Sequence, residues 1–134
     1  MKIYKLLTAL ALLIIIGFTA CTPDNPNNFD IRDDFVGTWL CSEQSSVFGN
    51  SNYTVDIVKS VADSSQILIK NFYQLGSTVS VTAVVNGNSL NIPNQNASGQ
   101  TINGSGSLVS GNINLTYTAN DGSHTDNVTA TYSQ

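Results

Sequence analysis

Basic residues are scarce in this chain, which has five lysines and arginines against nine aspartates and glutamates. Two of the lysines, Lys2 and Lys5, belong to the first twenty residues. The rest of the chain carries only Arg32, Lys59 and Lys70, so three positive and nine negative charges leave a balance of minus six. Nucleic acids and anionic membrane surfaces attract positively charged proteins. We therefore expect no nucleic-acid partner.

Histidine is almost absent, and His124 in the stretch DGSHTD is the single example. Asp121 and Asp126 flank it, so a cation held by a hairpin loop is one interpretation and an ordinary solvated turn is the other. Transition-metal sites usually recruit ligands from separate elements, and Asp-Gly is typical of turns, so we predict the turn and no metal. A catalytic triad or a Cys-His pair would need this same histidine, and nothing marks a nucleophile. We expect no catalytic residues, no cofactor and no enzymatic activity.

The one long apolar run of the sequence lies at its N-terminus. Two lysines precede an apolar stretch over residues 6–18, and Ala20 then stands directly before Cys21. This order of charged, apolar and small residues is typical of a secretory signal, and the run is shorter than the roughly 20 residues of a spanning helix. The sequence therefore predicts a signal peptide over residues 1–20.

The stretch FTAC, residues 18–21, resembles the bacterial lipobox, in which signal peptidase cuts before a cysteine that carries diacylglycerol. The resemblance implies that Cys21 is the lipidated N-terminus and joins the protein to a membrane, since each buried methylene contributes about 0.8 kcal/mol. The alternative is a soluble secreted protein cut after Ala20. Residues 21–30 have two prolines and almost nothing apolar, which predicts a flexible tether. We expect an outer-membrane lipoprotein, on the periplasmic face or at the cell surface.

A helical apolar period is missing from Phe35 onward, and an alternation of period two takes its place. The alternation predicts a single domain over residues 31–134 with about eight strands, each half-buried. The predicted apolar faces contain Tyr53, Val55, Ile57, Val61, Ile67, Ile69, Val79, Val81, Ala83, Val85, Leu90, Ile92, Ile102, Leu108, Ile113, Leu115, Tyr117, Ala119, Val128, Ala130 and Tyr132. Short links such as Asn86-Gly87 and Asp121-Gly122 favour tight antiparallel hairpins.

Closure of this sheet is the expected architecture, because no helix is available to cover the apolar face of an open one. An up-and-down antiparallel barrel removes both free edges, and a sandwich is the alternative. Pro93 cannot donate to a ladder, so it predicts a strand end, a bulge or an edge position. Cys41 is left without a disulfide partner if Cys21 is lipidated, and we expect it to be buried as a small hydrophobe.

Gly37 and Trp39, at the start of the first predicted strand, resemble the opening motif of lipocalins and their calycin relatives. The resemblance implies that Trp39 packs across a closed barrel end, after a short turn in the stretch DIRDDF. The later half of the chain, from NFYQLGSTVSVTAVV to the C-terminus, is similar to small uncharacterised lipocalin-like lipoproteins of Bacteroidetes. That similarity implies fold and location but brings no catalytic residues. Avidins share the opening motif, but their site has several tryptophans and this chain has only Trp39, so biotin binding is not expected.

Two functional hypotheses follow for a barrel of this size, which either is filled by side chains or holds one small ligand. The first is a non-catalytic binding protein of the cell envelope that takes a small apolar ligand at the barrel mouth. Its candidate ligand-binding residues are Tyr53, Val55, Ile57, Lys59, Phe72, Tyr73, Tyr117 and Tyr132. Lys59 lies on the apolar face, either as a buried charge for an acidic ligand group or near a mouth where its stem reaches water.

The second hypothesis is a protein–protein interaction module. Small barrel lipoproteins that inhibit lysozyme work through a loop that blocks an active site. Residues 45–53, the longest predicted loop, expose Phe48 and are the corresponding candidate here.

Overall fold

Eight strands form the folded part of the protein in a computed structural model that describes residues 29–134. The predicted signal peptide, Cys21 and most of the predicted tether lie outside the described residues. The strands are β1 (Gly37–Ser45), β2 (Gly49–Lys59), β3 (Gln66–Lys70), β4 (Ser80–Asn86), β5 (Ser89–Ala97), β6 (Gln100–Val109), β7 (Asn112–Asn120) and β8 (Thr125–Ser133). Each pairs antiparallel with its neighbours in sequence, and β8 pairs with β1. The predicted up-and-down barrel is confirmed, and the sandwich alternative is wrong. Within residues 29–134, no helix has the length and apolar character to cross a bilayer.

The barrel core is built from the alternating apolar residues of all eight strands. Strand pleating sends every second side chain inward, and the predicted apolar faces are the inward faces. Val79 and Leu108 are only half-buried at the edges of the core. The prediction for Val61 is wrong, because β2 ends at Lys59 and Val61 is fully exposed in the loop that follows.

One end of the barrel is covered by a turn over residues 30–35, and we call it the closed end. Phe35 is buried there, and the indole Nε1 of Trp39 donates to the Phe35 carbonyl over 2.9 Å. Gly37 joins the turn to β1 with a φ of 137°, a conformation that favours glycine. The expected placement of Trp39 across a closed end is confirmed.

Charged residues tie the covering turn to the β2–β3 loop. The Arg32 guanidinium is paired with Asp30 at 2.7 Å and donates to the carbonyls of Ser60, Asp63 and Gln66. Together these contacts join residues 30–35 to residues 60–66 and begin at Asp30, the last residue of the predicted tether.

The opposite end, which we call the rim, carries the β1–β2 turn, the β3–β4 connection and the β7–β8 turn. Phe72 and Tyr73 lie in the connection over residues 71–79, not in a continuation of β3, because β3 ends at Lys70. Phe72 is fully buried, and its ring packs on Tyr117 with the two centroids 4.5 Å apart. The connection therefore folds an aromatic side chain back into the barrel.

Two local features distinguish β5 and β6 from the other strands: a register shift in β5 and two glycines in β6. The β5–β6 register shifts between Ile92 and Gln95, which brackets Pro93 and confirms the expected irregularity. On β6, Gly104 lies opposite Tyr117, and Gly106 lies opposite Leu115. A β-carbon at either glycine would collide with the backbone and side chains of β7, so both glycines make room for the large residues facing them.

Candidate binding site at the barrel rim

The barrel interior contains a buried polar cluster around Glu43. The phenols of Tyr53 and Tyr117 both donate to Oε2 of this carboxyl, which is 4% exposed. Burial, reinforced by neighbouring phenols and by Glu43, holds the pKa of both tyrosines well above the usual range. The two phenols therefore stay protonated and act as donors. Glu43 is not among the predicted ligand-binding residues, although its phase on β1, two residues from Cys41, indicates an inward side chain.

Cys41 and Tyr132 complete the interior cluster. Burial raises the pKa of the Cys41 thiol to about 12, and the predicted buried position is confirmed. The Tyr132 hydroxyl is also buried, and it has no hydrogen-bond partner among the described residues. Burial raises the Tyr132 pKa as well, because the neutral phenol is favoured in a low-dielectric interior.

Most of the candidate ligand-binding residues lie together in this packed interior. Val55, Ile57, Phe72, Tyr117 and Tyr132 are each at most 2% exposed and belong to one core cluster. Their side chains pack together inside the barrel, where a ligand would have to displace them. Their role as ligand contacts stays a prediction.

The remaining candidates separate toward the surface. Tyr53 is half-buried beside Glu43, and Tyr73 is half-buried at the rim. Lys59 lies away from both, at the closed end, with its ammonium 3.0 Å from Asp30 and 2.5 Å from Asp33. Because these carboxylates raise its pKa and neutralise its charge, Lys59 is part of the closed-end ion-pair network.

A cleft of about 240 Å³ opens to solvent at the rim. Its lining includes Val47, Phe48, Tyr73, Ala119, His124 and Asp126. Two other clefts, of about 360 and 280 Å³, lie over the outer faces of β1 and β8, where the outward side chains are polar. The rim cleft is therefore the one of these three in which aromatic and charged side chains converge.

Asp126 organises the rim. Its carboxylate accepts five hydrogen bonds, from the Ser45 and Ser46 hydroxyls, the Ser46 and Val47 amides and the Tyr73 phenol. Burial opposes ionisation of this carboxyl, but the donors, led by Ser45 and Tyr73, outweigh burial and hold its pKa below the usual value. Asp126 is thus an ionised acceptor that joins β8 to the β1–β2 turn and to the β3–β4 connection.

The β1–β2 turn that Asp126 holds is short and is fixed by several hydrogen bonds. The predicted loop over residues 45–53 is wrong in extent, because β1 and β2 pair as far as Ser45 and Gly49 and leave only residues 46–48 as a turn. The Ser45 hydroxyl also accepts from the Val47 and Phe48 amides, at 3.1 and 2.7 Å. The Phe48 side chain is 78% exposed, which confirms the expected exposure.

Tyr73 adopts an uncommon backbone conformation beside this turn, with φ 52° and ψ 29°. A left-handed conformation at a bulky residue is strained, and such strain often accompanies a binding site. Its phenol donates to Asp126 over 2.8 Å, and its ring centroid lies 6.4 Å from that of Phe48. The two aromatic rings therefore form one wall of the cleft.

His124 forms the outer lip of the cleft. It is exposed in the β7–β8 turn, and its amide donates to the Asp121 carboxylate over 2.7 Å. The expected solvated Asp-Gly turn is confirmed, with Gly122 at φ 94°. Across residues 29–134, no three His, Cys, Asp or Glu side chains converge into a metal-binding group.

Fold and site together define a small closed antiparallel β-barrel with a tightly filled core and a cleft at its rim. This architecture is consistent with the lipocalin and calycin fold. No protein-family model matches the sequence, and no curated protein is significantly similar to it.

Proposed function

We propose that this protein is a lipid-anchored, non-catalytic binding protein of the cell envelope, akin to the lipocalin-like lipoproteins of Bacteroidetes, and that it binds a small apolar group at the barrel rim. The lipobox-like stretch before Cys21 supports the anchor and the outer-membrane location. The closed barrel supports the relationship in fold. The packed interior supports a site at the rim, as in the expected ligand site at the barrel mouth, rather than one deep inside the barrel.

The observation that carries the proposal is that hydrogen bonds hold Val47 and Phe48, both exposed, beside the rim cleft. Exposed apolar side chains gain about 25 cal/mol for each Å² that a ligand removes from water. Binding normally loses part of this gain in ordering the site, and the hydrogen bonds of Asp126 and Ser45 have already ordered the turn. Binding an apolar group at this turn therefore costs less conformational entropy than binding at a disordered loop would.

The size of the cleft sets the size of the ligand. At about 240 Å³, it is below the roughly 300 to 1,000 Å³ of drug-sized ligand sites. The aromatic ring or short acyl chain of a ligand, packed against Phe48 and Tyr73, suits this volume, and the rest of a larger ligand would extend into solvent.

The surroundings of the two buried acids support a non-catalytic role. Asp126 is engaged by five structural donors, and Glu43 lies inside the packed barrel, away from the cleft. A general base has to reach the proton that it abstracts from a substrate, and neither acid offers a free approach.

Titration with the apolar fluorophore N-phenylnaphthylamine tests the proposal. We expect fluorescence enhancement in the wild-type protein and severalfold weaker binding in Phe48→Ser, because one wall of the cleft is removed. Leu40→Ser is the matched control, since Leu40 is also an exposed apolar side chain but lies on β1 away from the rim. Equal losses in both variants, or no binding by the wild type, would contradict the proposal.

A protein partner that inserts an apolar side chain into the same cleft is the second candidate, favoured by how far Phe48 projects into solvent. Native mass spectrometry of the purified protein separates the two. A retained small molecule that is lost in Phe48→Ser supports the ligand. A retained polypeptide that is lost in the same variant supports the partner.

A further inference from the structure

Exposed apolar side chains gather at the closed end of the barrel, opposite the rim. Phe29, Ile31 and Val36 are exposed in and around the covering turn, and Val61 is fully exposed in the β2–β3 loop. A fifth, Val109, ends β6 next to the turn at residues 110–111. Scattered exposed apolar residues are ordinary, but a group at one end of a small barrel marks a contact surface.

The ion pairs of the closed end hold these apolar residues in place and reduce its negative charge. Arg32 joins the turn that carries Ile31 to the loop that carries Val61. Asp30 is paired with Arg32 and Lys59, and Asp33 is paired with Lys59. Within residues 29–134, Asp34 and Asp63 form no salt bridge, so this surface suits a zwitterionic interface better than an anionic one.

The chain enters the barrel at this same end. Phe29 lies eight positions after Cys21, and a fully extended chain over eight positions reaches at most about 28 Å. A lipid on Cys21 would therefore hold the closed end within about 28 Å of the membrane.

From this placement we infer that the closed end docks on the membrane, with Phe29, Ile31 and Val61 in the headgroup region of a zwitterionic phospholipid leaflet. Apolar side chains at the boundary between headgroups and acyl chains add binding energy to a single lipid anchor. The contact fixes the barrel upright and presents the rim cleft to the surrounding compartment. The inference rests on the lipid anchor of the proposed function.

Spin labels at two positions test the orientation in the full, lipidated protein reconstituted into phosphatidylcholine vesicles at high lipid-to-protein ratio. The variants are Val61→Cys at the closed end and Phe48→Cys at the rim. Cys41 is buried and Cys21 is acylated, so the introduced cysteine is the thiol that reacts. We expect the label at position 61 to be severalfold less accessible than the label at position 48 to a water-soluble nickel relaxant, and more accessible to oxygen dissolved in the lipid.

Each other result overturns the inference in a distinguishable way. Equal nickel accessibility at both positions in vesicle-bound protein would refute the docking contact and leave the anchor intact. Dipolar broadening of the signal from position 61 would show a second copy covering this end in place of lipid. Purified protein whose mass shows no acyl chains on Cys21 would overturn the anchor together with the inference.

Discussion

Buried polar groups in the barrel differ in whether they have a hydrogen-bond partner. Tyr53 and Tyr117 share the Glu43 carboxyl, whereas the hydroxyl of Tyr132 is buried without a partner among the described residues. A buried donor with no acceptor loses its hydration and gains nothing in return. The hydroxyl groups of Tyr53 and Tyr117 therefore stabilise the fold, whereas that of Tyr132 destabilises it.

Removing single hydroxyl groups measures this difference. We expect Tyr117→Phe to lower the free energy of unfolding by about 2 kcal/mol, because the buried Glu43 carboxyl loses a hydrogen-bond donor. Tyr132→Phe is the matched variant, and we expect it to raise the free energy of unfolding by about 1 kcal/mol, because an unpaired buried hydroxyl disappears. Urea unfolding followed by circular dichroism provides both values. Equal destabilisation by the two variants would contradict this assignment.

Asp126 is the residue on which the shape of the rim depends. Asp126→Asn removes the charge and one acceptor, so we expect a loss of about 2 kcal/mol in the free energy of unfolding. We also expect faster amide hydrogen exchange at Val47 and Phe48, whose turn it holds. Asp34→Asn is the control, since Asp34 is an exposed aspartate at the opposite end. Unchanged exchange in the turn would show that Ser45 alone maintains it.

At the scale of elements, the inward residues of β6 and β7 are complementary in size: small residues on β6 lie opposite large ones on β7. Gly104 and Gly106 face inward opposite Tyr117 and Leu115, and the space that two β-carbons would occupy is taken by β7. Small residues on one strand and large ones on the next allow a narrow barrel to be filled without voids.

Gly104→Ala tests this match. We expect a decrease of about 1 to 3 kcal/mol in the free energy of unfolding, because the added methyl group overpacks the contact with Tyr117. Ser105→Ala is the control on the same strand, where the side chain is exposed on the outer face. A thermal unfolding midpoint that is unchanged in Gly104→Ala would show that β6 can move away from β7 at little cost.

Sequence reasoning succeeds where the strand period decides the structure. The alternation in NINLTYTA identifies the inward face of β7, and the hairpin links predict the strand order. Sequence reasoning fails where contacts between residues far apart in the sequence determine the structure. The period continues through Val61, but β2 ends at Lys59, which pairs with Asp30 and Asp33, and the next residue, Ser60, already lies in the loop that Arg32 contacts. Likewise, residues 71–79 continue an apolar pattern, but packing of Phe72 on Tyr117 turns the chain inward.

The rim site shows the same division. The exposure of Phe48 is predictable from an apolar residue between turn formers. The partnership of Asp126 with Ser45 joins residues 81 positions apart, and it exists only because β8 closes against β1. In the sequence, Asp126 stands two residues before Val128, on the same alternating face as Val128 and Ala130. This alternation predicts that the Asp126 side chain points inward, but not which residues it contacts.

For the whole molecule, titratable groups define a range of pH over which the barrel is most stable. Hydrogen bonds hold the pKa values of Asp30, Asp63, Asp121 and Asp126 below the usual 3.8, and burial raises those of four tyrosines above the usual 10.0. On acidification the unfolded chain therefore takes up protons before the folded one. On alkalinisation the unfolded chain releases them first.

We accordingly expect the free energy of unfolding to be nearly constant from about pH 5 to pH 8, to fall as the pH drops below about 4 and to fall again above about 9. Urea midpoints measured across this range check the profile. Constant stability down to pH 2 would show that the carboxylate hydrogen bonds contribute little. The alkaline decrease is the separate test of the tyrosine cluster.

The pairing of β1 with β8 has a consequence for the order in which the barrel assembles. Seven of the eight strand pairings join consecutive strands and can form as local hairpins, whereas this one joins the two ends of the domain. Until residues 125–133 are available, β1 and β7 leave two unpaired edges, and unpaired edges invite association with other chains. A nascent chain therefore remains aggregation-prone until the nine residues of β8 arrive, and the pairing of β8 with β1 is a late step of long-range closure.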